Sequence, residues 1–155
     1  AGPQFAFMAS TPQVARALRP QLRFQMAYEM PVYATSDAWD PGPRAVPDLD
    51  GLTLPEMPWI LNAGHGAAAL WDALQDEWSA AGRGRLRLYA FGYDAYQLLR
   101  GLDVASRGTA LDGLTGRLTL GSDGRVQRDT DWAQVVGGRL QPAGALTLLP
   151  PSGEP

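Results

Sequence analysis

The chain has 155 residues and a mass of 16.6 kDa, the size of one ordinary domain, and its 45% hydrophobic and 19% charged residues mark a globular chain, neither disordered nor fibrous. A formal net charge of −3 argues against nucleic-acid binding, which needs a dense basic face to displace counterions from phosphates. With no cysteine and one histidine, disulfides, thiol catalysis, zinc–cysteine sites and multi-histidine metal centres are excluded.

Gln4-Phe5-Ala6-Phe7-Met8-Ala9 opens the chain as a strand. A strand this close to the first residue points to a fragment or a processed piece, and no basic-then-apolar signal peptide precedes it. Ser10 or Thr11 offers an N-cap and Pro12 a first helical residue. Val14, Leu18, Leu22 and Met26 recur every fourth position as one apolar stripe, with Pro20 expected to kink the helix or split it in two. Val32-Tyr33-Ala34-Thr35 is the next strand, so the first fifty residues hold a β-α-β unit with parallel strands.

Residues 36–50, with three prolines and four aspartates, read as a long loop. Gly51–Leu54 and Trp59–Leu61 read as short extended pieces. Asn62 is a candidate cap for a helix over about 64–81, with Ala67, Leu70, Trp71, Leu74 and Trp78 on its buried face and Gly82 at its end. Leu86–Tyr89 reads as a linker or a short extended piece, followed by a helix from about Ala90 to Leu102 whose buried stripe is Phe91, Ala95, Leu98, Leu99 and Leu102. Two turn signals then organise a β-meander: Asp123-Gly124 between Leu114–Leu120 and Arg125–Arg128, and Gly137-Gly138 between Trp132–Val136 and Arg139–Leu140. Residues 143–155 are expected to form a flexible tail.

No catalytic constellation emerges. Gly-x-Ser-x-Gly is absent, and a phosphate-binding Gly-x-x-x-x-Gly-Lys loop is impossible because every basic residue is arginine. His65, in Gly64-His65-Gly66, reads as a surface or helix-start residue before it reads as a base. Asp48, Asp50 and Gly51 begin like a calcium loop, but Leu52 stands where an oxygen ligand is needed and no acid closes the loop. Asp129 and Asp131 read as solvated. Trp39, beside Asp40-Pro41 with no periodic partner, is the candidate binding aromatic, with packing of the loop as the competing role. The expectation is therefore a protein that is not an enzyme and uses no metal or cofactor.

Four segments occur together in order: Pro31-Val32-Tyr33-Ala34-Thr35-Ser36; Leu49-Asp50-Gly51 leading to Met57-Pro58-Trp59-Ile60-Leu61; Ala90-Phe91-Gly92-Tyr93-Asp94-Ala95-Tyr96; and Leu111-Asp112-Gly113-Leu114-Thr115-Gly116 followed by Gly124-Arg125-Val126 and Trp132-Ala133-Gln134. Together they resemble the LppC/LpoA family of outer-membrane lipoproteins, activators of class A penicillin-binding proteins. The resemblance covers roughly residues 5–142. It implies an α/β fold: part of a two-lobed type I periplasmic-binding-protein-like domain, with a parallel sheet, flanking helices and a C-terminal β-meander. Second-lobe pieces would be about 4–58 and 106–142, with a first-lobe crossover at about 59–105. The resemblance further implies a non-catalytic regulator whose partner is a class A penicillin-binding protein. Its place would be the periplasm, at the inner face of the outer membrane, with membrane association only through an N-terminal lipid anchor outside this chain.

The alternative is a small-molecule receptor. Open α/β sheets bind ligands beyond the carboxyl ends of their strands. Here those ends are Ser10 and Thr11, which also start a helix able to hold an anion, and Thr35 and Ser36. Trp39 is the expected partner contact.

Overall fold

The computed structural model describes residues 3–25, 30–41, 45–77, 85–101 and 110–144. Its strands are β1 (Ala6–Met8), β2 (Val32–Ala34), β3 (Leu52–Glu56), β4 (Leu111–Asp112), β5 (Arg117–Leu120), β6 (Val126–Asp129), β7 (Asp131–Val136) and β8 (Arg139–Pro142). Its helices are α1 (Pro12–Gln25), α2 (Pro58–Leu61), α3 (Ala68–Glu77) and α4 (Leu86–Arg100). Short 3-10 turns at Ser36–Ala38 and Pro47–Leu49 organise the segment read from sequence as one long loop.

The strands form two sheets. The first has the order β1-β2-β3-β7-β8, with β1, β2 and β3 parallel and β7 antiparallel to both β3 and β8. The second is the antiparallel β4-β5-β6. The β-α-β unit and both hairpins thus form as their local chemistry predicts. In the β7–β8 turn, Gly137 and Gly138 have φ of 58° and 73°, the left-handed geometry a two-residue hairpin loop demands. The meander is divided, however. β5–β6 stays in the small sheet and β7–β8 joins the large one. Residues 111–129, expected within a second-lobe piece spanning 106–142, therefore lie outside the five-stranded sheet.

The described residues form two cores. Alternation along the large sheet sends Met8, Val32, Ala34, Leu52, Leu54 and Val135 to one face, where they pack with Ala15, Leu49 and Trp39. The second core joins Trp59, Leu86, Ala90 and Leu114, flanked by half-buried Leu70, Trp71 and Leu74. Trp59 and Trp71 meet edge-to-face with ring centroids 5.1 Å apart. The other face of the large sheet carries Phe5, Phe7, Tyr33, Trp132 and Val136. Phe5, Phe7, Trp132 and Val136 are exposed. Parallel strands are ordinarily covered on both faces, so this aromatic row is unusual.

Several expectations are corrected. α1 is one helix running through Pro20, and it turns Ala15, Arg19 and Leu22 inward while Val14 and Leu18 stay exposed. Small Ala15 permits close approach to the sheet, and the Arg19 stem covers apolar surface while its head reaches Gly51. Burial, reinforced by Arg23 and opposed by Asp50, lowers the pKa of that guanidinium. Met26, Trp78 and Leu102 lie outside the described residues, as does the tail from 145 onward. Trp59–Leu61 is a helical turn begun by Pro58, not an extended piece, and Asn62 follows it. The following helix begins at Ala68, not near 64.

Leu86–Tyr89 is the first turn of α4, not a linker, and the face of α4 that is buried is Leu86, Ala90 and Asp94. Phe91 and Leu99, expected inside, are exposed. α4 is apolar over most of its circumference, so periodicity alone does not select which side faces the core.

Trp59→Ala empties a fully buried site and removes the contact with Trp71. It should cost about 3–5 kcal/mol, measured by urea unfolding. Trp71→Ala, at a half-buried site, should cost less.

Candidate functional site

The carboxyl ends of β1 and β2 lie side by side, and the Thr35 amide donates to the Met8 carbonyl at 3.2 Å, extending the parallel ladder by one bond. Beyond these ends opens a cavity of about 580 Å³, lined by Ala9, Ser10, Thr11 and Pro12 from the β1–α1 corner, Thr35, Asp37, Trp39 and Asp40 from the segment after β2, and Arg87 from α4. α1 starts at this rim, where the Ala15 amide donates to the Thr11 carbonyl at 2.9 Å. Ser10 Oγ is buried without a protein hydrogen-bond partner, a state that leaves a hydroxyl's capacity unused.

Of the residues singled out from sequence, Ser10, Thr11, Thr35 and Trp39 all line this cavity. Ser36 does not line it; its carbonyl accepts a hydrogen bond from Arg87 Nη2 at 2.9 Å. Trp39 is not a loop-tip aromatic. It is 6% exposed and belongs to the core of the large sheet, while still forming part of the cavity wall. A tryptophan so placed offers little surface to a protein partner. His65 is exposed and lines a separate small cavity of about 160 Å³ with Tyr93, Gln97 and Asp112. Among the described residues, no group of three or more His, Asp or Glu side chains could hold a metal ion.

Sequence reading missed the charged residues of this wall, Asp37, Asp40 and above all Arg87. Its Nε donates to Glu56 Oε1 at 3.1 Å and its Nη2 to Glu56 Oε2, a two-pronged pair, and Nη2 also reaches the carbonyls of Ser36 and Trp39. The Glu56 carboxylate is wholly buried and also accepts the Met57 amide at 2.9 Å. A cavity cation is therefore present but already committed to the protein's own carboxylate. One signal for it was available: Glu56 ends an otherwise uncharged strand, and an acid there needs a cation from elsewhere.

A second buried acid explains two of the sequence signatures. Asp94 of the Ala90–Tyr96 segment accepts the Leu114 and Thr115 amides, both at 2.8 Å, and the Thr115 hydroxyl at 2.6 Å. A Cβ on Gly113 would lie 2.6 Å from the Asp94 carboxylate, and one on Gly116, where φ is 135°, would lie 2.2 Å from the Asp129 carbonyl. The Leu-Asp-Gly-Leu-Thr-Gly turn is thus a carboxylate-bound corner whose glycines are set by close approach. These residues are occupied in holding structure, and none is free to act as a base.

Arg87→Met leaves the Glu56 carboxylate buried with one remaining N–H donor. The loss should be about 3 kcal/mol, at the low end for a broken buried pair because the Arg87 side chain is 21% exposed. The double variant Glu56→Leu/Arg87→Met should recover part of that loss in chemical denaturation.

Comparison with known proteins places this arrangement. The family model described as "LppC putative lipoprotein" matches residues 3–138. The penicillin-binding protein activator LpoA of Aliivibrio fischeri is 31% identical over 104 residues, 66% of this chain and 17% of the relative. That of an Enterobacter species is 29% identical over 147 residues, 89% of this chain and 19% of the relative. The chain thus spans under one fifth of these curated relatives. The LpoA C-domain from Haemophilus influenzae, a regulator of PBP1A, superimposes with a TM-score of 0.74 at 21% identity, covering 92% of this chain and 45% of that one. A Rhodospirillum rubrum protein assigned to branched-chain amino acid ABC transport superimposes with a TM-score of 0.66 at 18% identity, over 91% of this chain and 44% of that one. The two structural likenesses establish the fold as that of periplasmic-binding-protein-like α/β domains. With 136 consecutive positions matched by the model, from 3 to 138, the chain belongs to the LppC lipoprotein family.

Proposed function

We propose that this chain is the carboxy-terminal part of a periplasmic lipoprotein that stimulates a class A penicillin-binding protein by protein–protein contact and catalyses nothing itself. The observation that carries the reading is the similarity, at 31% identity across two thirds of the chain, to a protein named as a penicillin-binding protein activator. It is supported by the buried acids Glu56 and Asp94, which serve as anchors and not as reactive groups. The body built on the five-stranded sheet corresponds to the second lobe of the domain. The body around Trp59, Leu86 and Leu114 corresponds to part of the first. Anchoring at the inner face of the outer membrane through a lipidated N-terminal segment belongs to the same reading.

A second reading rests on one observation. Ser10 Oγ lies buried and unpartnered at the cavity where Thr11 begins α1. A ligand carboxylate there would meet the unpaired amides of the first helical turn, with Thr35 beside it and the edge of Trp39 as an apolar wall. In that reading the cavity takes a small zwitterion such as an amino acid.

The tests separate the two. A lipoprotein carrying this chain should raise the rate at which a purified class A penicillin-binding protein converts lipid-linked precursor into cross-linked peptidoglycan, and the two proteins should co-purify. Titration calorimetry with amino acids and peptidoglycan fragments should then give no heat. Tight binding of one of these small molecules, abolished by Thr35→Val, with no association with the synthase, would favour the receptor reading.

A further inference from the structure

Three Asp-Gly steps occur in the chain: Asp50-Gly51, Asp112-Gly113 and Asp123-Gly124. A glycine has no side chain to shield its amide nitrogen, so that nitrogen can attack the carboxyl group of the aspartate before it. The two groups must first meet, and in the folded chain each of these three amides is already hydrogen-bonded. What separates the three steps is how much structure has to open to release the amide.

The Gly51 amide donates to the Val135 carbonyl at 2.8 Å, and the Asp50 carboxylate accepts the Gly138 amide at 2.6 Å. Freeing this step parts β7 from the entry to β3, where Leu49 and Leu52 are buried in the large core. The Gly113 amide donates to the Gly116 carbonyl at 3.0 Å, Asp112 pairs with Arg117 in the β4–β5 ladder, and the Asp94 carboxylate packs against the Gly113 backbone. Freeing that step breaks the corner built on Asp94. The Gly124 amide donates to the Gly121 carbonyl at 3.0 Å, and the Asp123 carboxylate accepts the Arg125 amide at 3.1 Å. Both of these bonds lie within the β5–β6 loop itself. Residues 122–130 are all exposed, as is 61% of the Asp123 side chain, and no atom lies within 4 Å of the place a Gly124 Cβ would take. Arg125 Nε, 3.7 Å from the second Asp123 oxygen, adds a solvent-exposed pair of little strength.

Segments open locally at a free-energy cost set by the contacts that the opening breaks. We propose that Asp123 is a site of spontaneous covalent modification, isomerisation to isoaspartate, and that the fold confines this reaction to the β5–β6 loop. The Gly124 nitrogen bonds to the carboxyl carbon of Asp123. The carbon–hydroxyl bond breaks, and the hydroxyl leaves as water with the amide proton. The result is a five-membered cyclic imide. Water then adds to one of its two carbonyls and breaks one carbon–nitrogen bond. Opening at the side-chain carbonyl restores aspartate. Opening at the main-chain carbonyl leaves the chain running through the former side chain. Nothing is oxidised or reduced, and the mass of the chain is unchanged.

The isoaspartyl chain has one more backbone carbon in the loop and a carboxylate one carbon shorter. The native loop is closed by the Gly121 amide, which donates to the Arg125 carbonyl at 2.8 Å, with Gly124 in left-handed geometry at φ 77°, the form of a three-residue hairpin connection. An added backbone atom spoils that match, so the Leu120–Val126 pair at the end of the ladder is the first to loosen. Leu118, buried further along β5, keeps the inner part of the small sheet in place.

The test is to age the purified 155-residue chain at neutral pH and 37 °C, folded in buffer and unfolded in guanidinium chloride. Trypsin cuts after arginine and isolates each step on its own peptide, 45–83, 108–117 and 118–125. In the folded chain, peptide 118–125 should split with time into two chromatographic peaks of equal mass, the new one a substrate for an isoaspartyl methyltransferase. Peptides 45–83 and 108–117 should stay single. In the unfolded chain all three should split, because the sequence step is the same. Asp123→Glu should remove the new peak with unchanged far-UV circular dichroism, since the longer side chain closes the ring far more slowly. A folded chain whose peptide 118–125 stays single overturns the proposal. So does one in which Asp50 or Asp112 isomerises as fast as Asp123, which would show that the fold does not select the site.

Discussion

The arrangement of this molecule hangs on one buried ion pair. β3 carries the chain out of the five-stranded sheet and ends at Glu56, and the next residues, Met57-Pro58-Trp59, enter the second core. At that crossing point a carboxylate is removed entirely from water, a state that is costly without a matched cation. Arg87, in the first turn of α4, supplies the match in the two-pronged geometry that suits guanidinium and carboxylate. Because the same guanidinium also reaches the carbonyls of Ser36 and Trp39, it ties the turn after β2, the end of β3 and the start of α4 together. That contact fixes how the two bodies face each other and closes one wall of the cavity.

α4 is the strut of the second body. Arg87 and Asp94 stand seven residues apart, two turns of helix, so they project toward the same side. Arg87 reaches back to the large sheet and Asp94 holds the Gly113–Thr115 corner. The residues that make the sequence recognisable as a family member are therefore largely those that hold the helix, the corner and the crossing strand in register. The two distinctive buried acids, Glu56 and Asp94, are both engaged as internal anchors. The cavity at the ends of β1 and β2 survives in this frame, but its cation is engaged by Glu56, so a ligand there would rely on hydroxyls and helix amides.

Much of the local structure was determined by the sequence alone. The first strand, the helix opened by Pro12 and the strand at Val32 follow from apolar periodicity and capping. The turns at Asp123-Gly124 and Gly137-Gly138 follow from residues that tolerate left-handed backbone. The convergence of Ser10, Thr11 and Thr35 also follows, since parallel strands joined by a helix end on the same side. All of these depend on preferences expressed within a few residues.

Which side of each helix is inside was decided only by the tertiary structure. In α1 the inward residue is Arg19 and not Leu18: its long apolar stem covers the core and its head reaches Gly51, at the cost of a desolvated guanidinium whose Nε has no hydrogen-bond partner. In α4 two apolar faces compete, and the one bearing Asp94 wins because the Leu114 and Thr115 amides, some twenty residues away, need its carboxylate. Trp39 left its apparent loop for the core, and Arg87 entered the cavity wall because it pairs with the wholly buried carboxylate of Glu56, 31 residues distant in sequence. These outcomes rest on electrostatic and steric matches between residues far apart in the chain. No pattern within one segment encodes such matches, because each half has meaning only once the other is beside it.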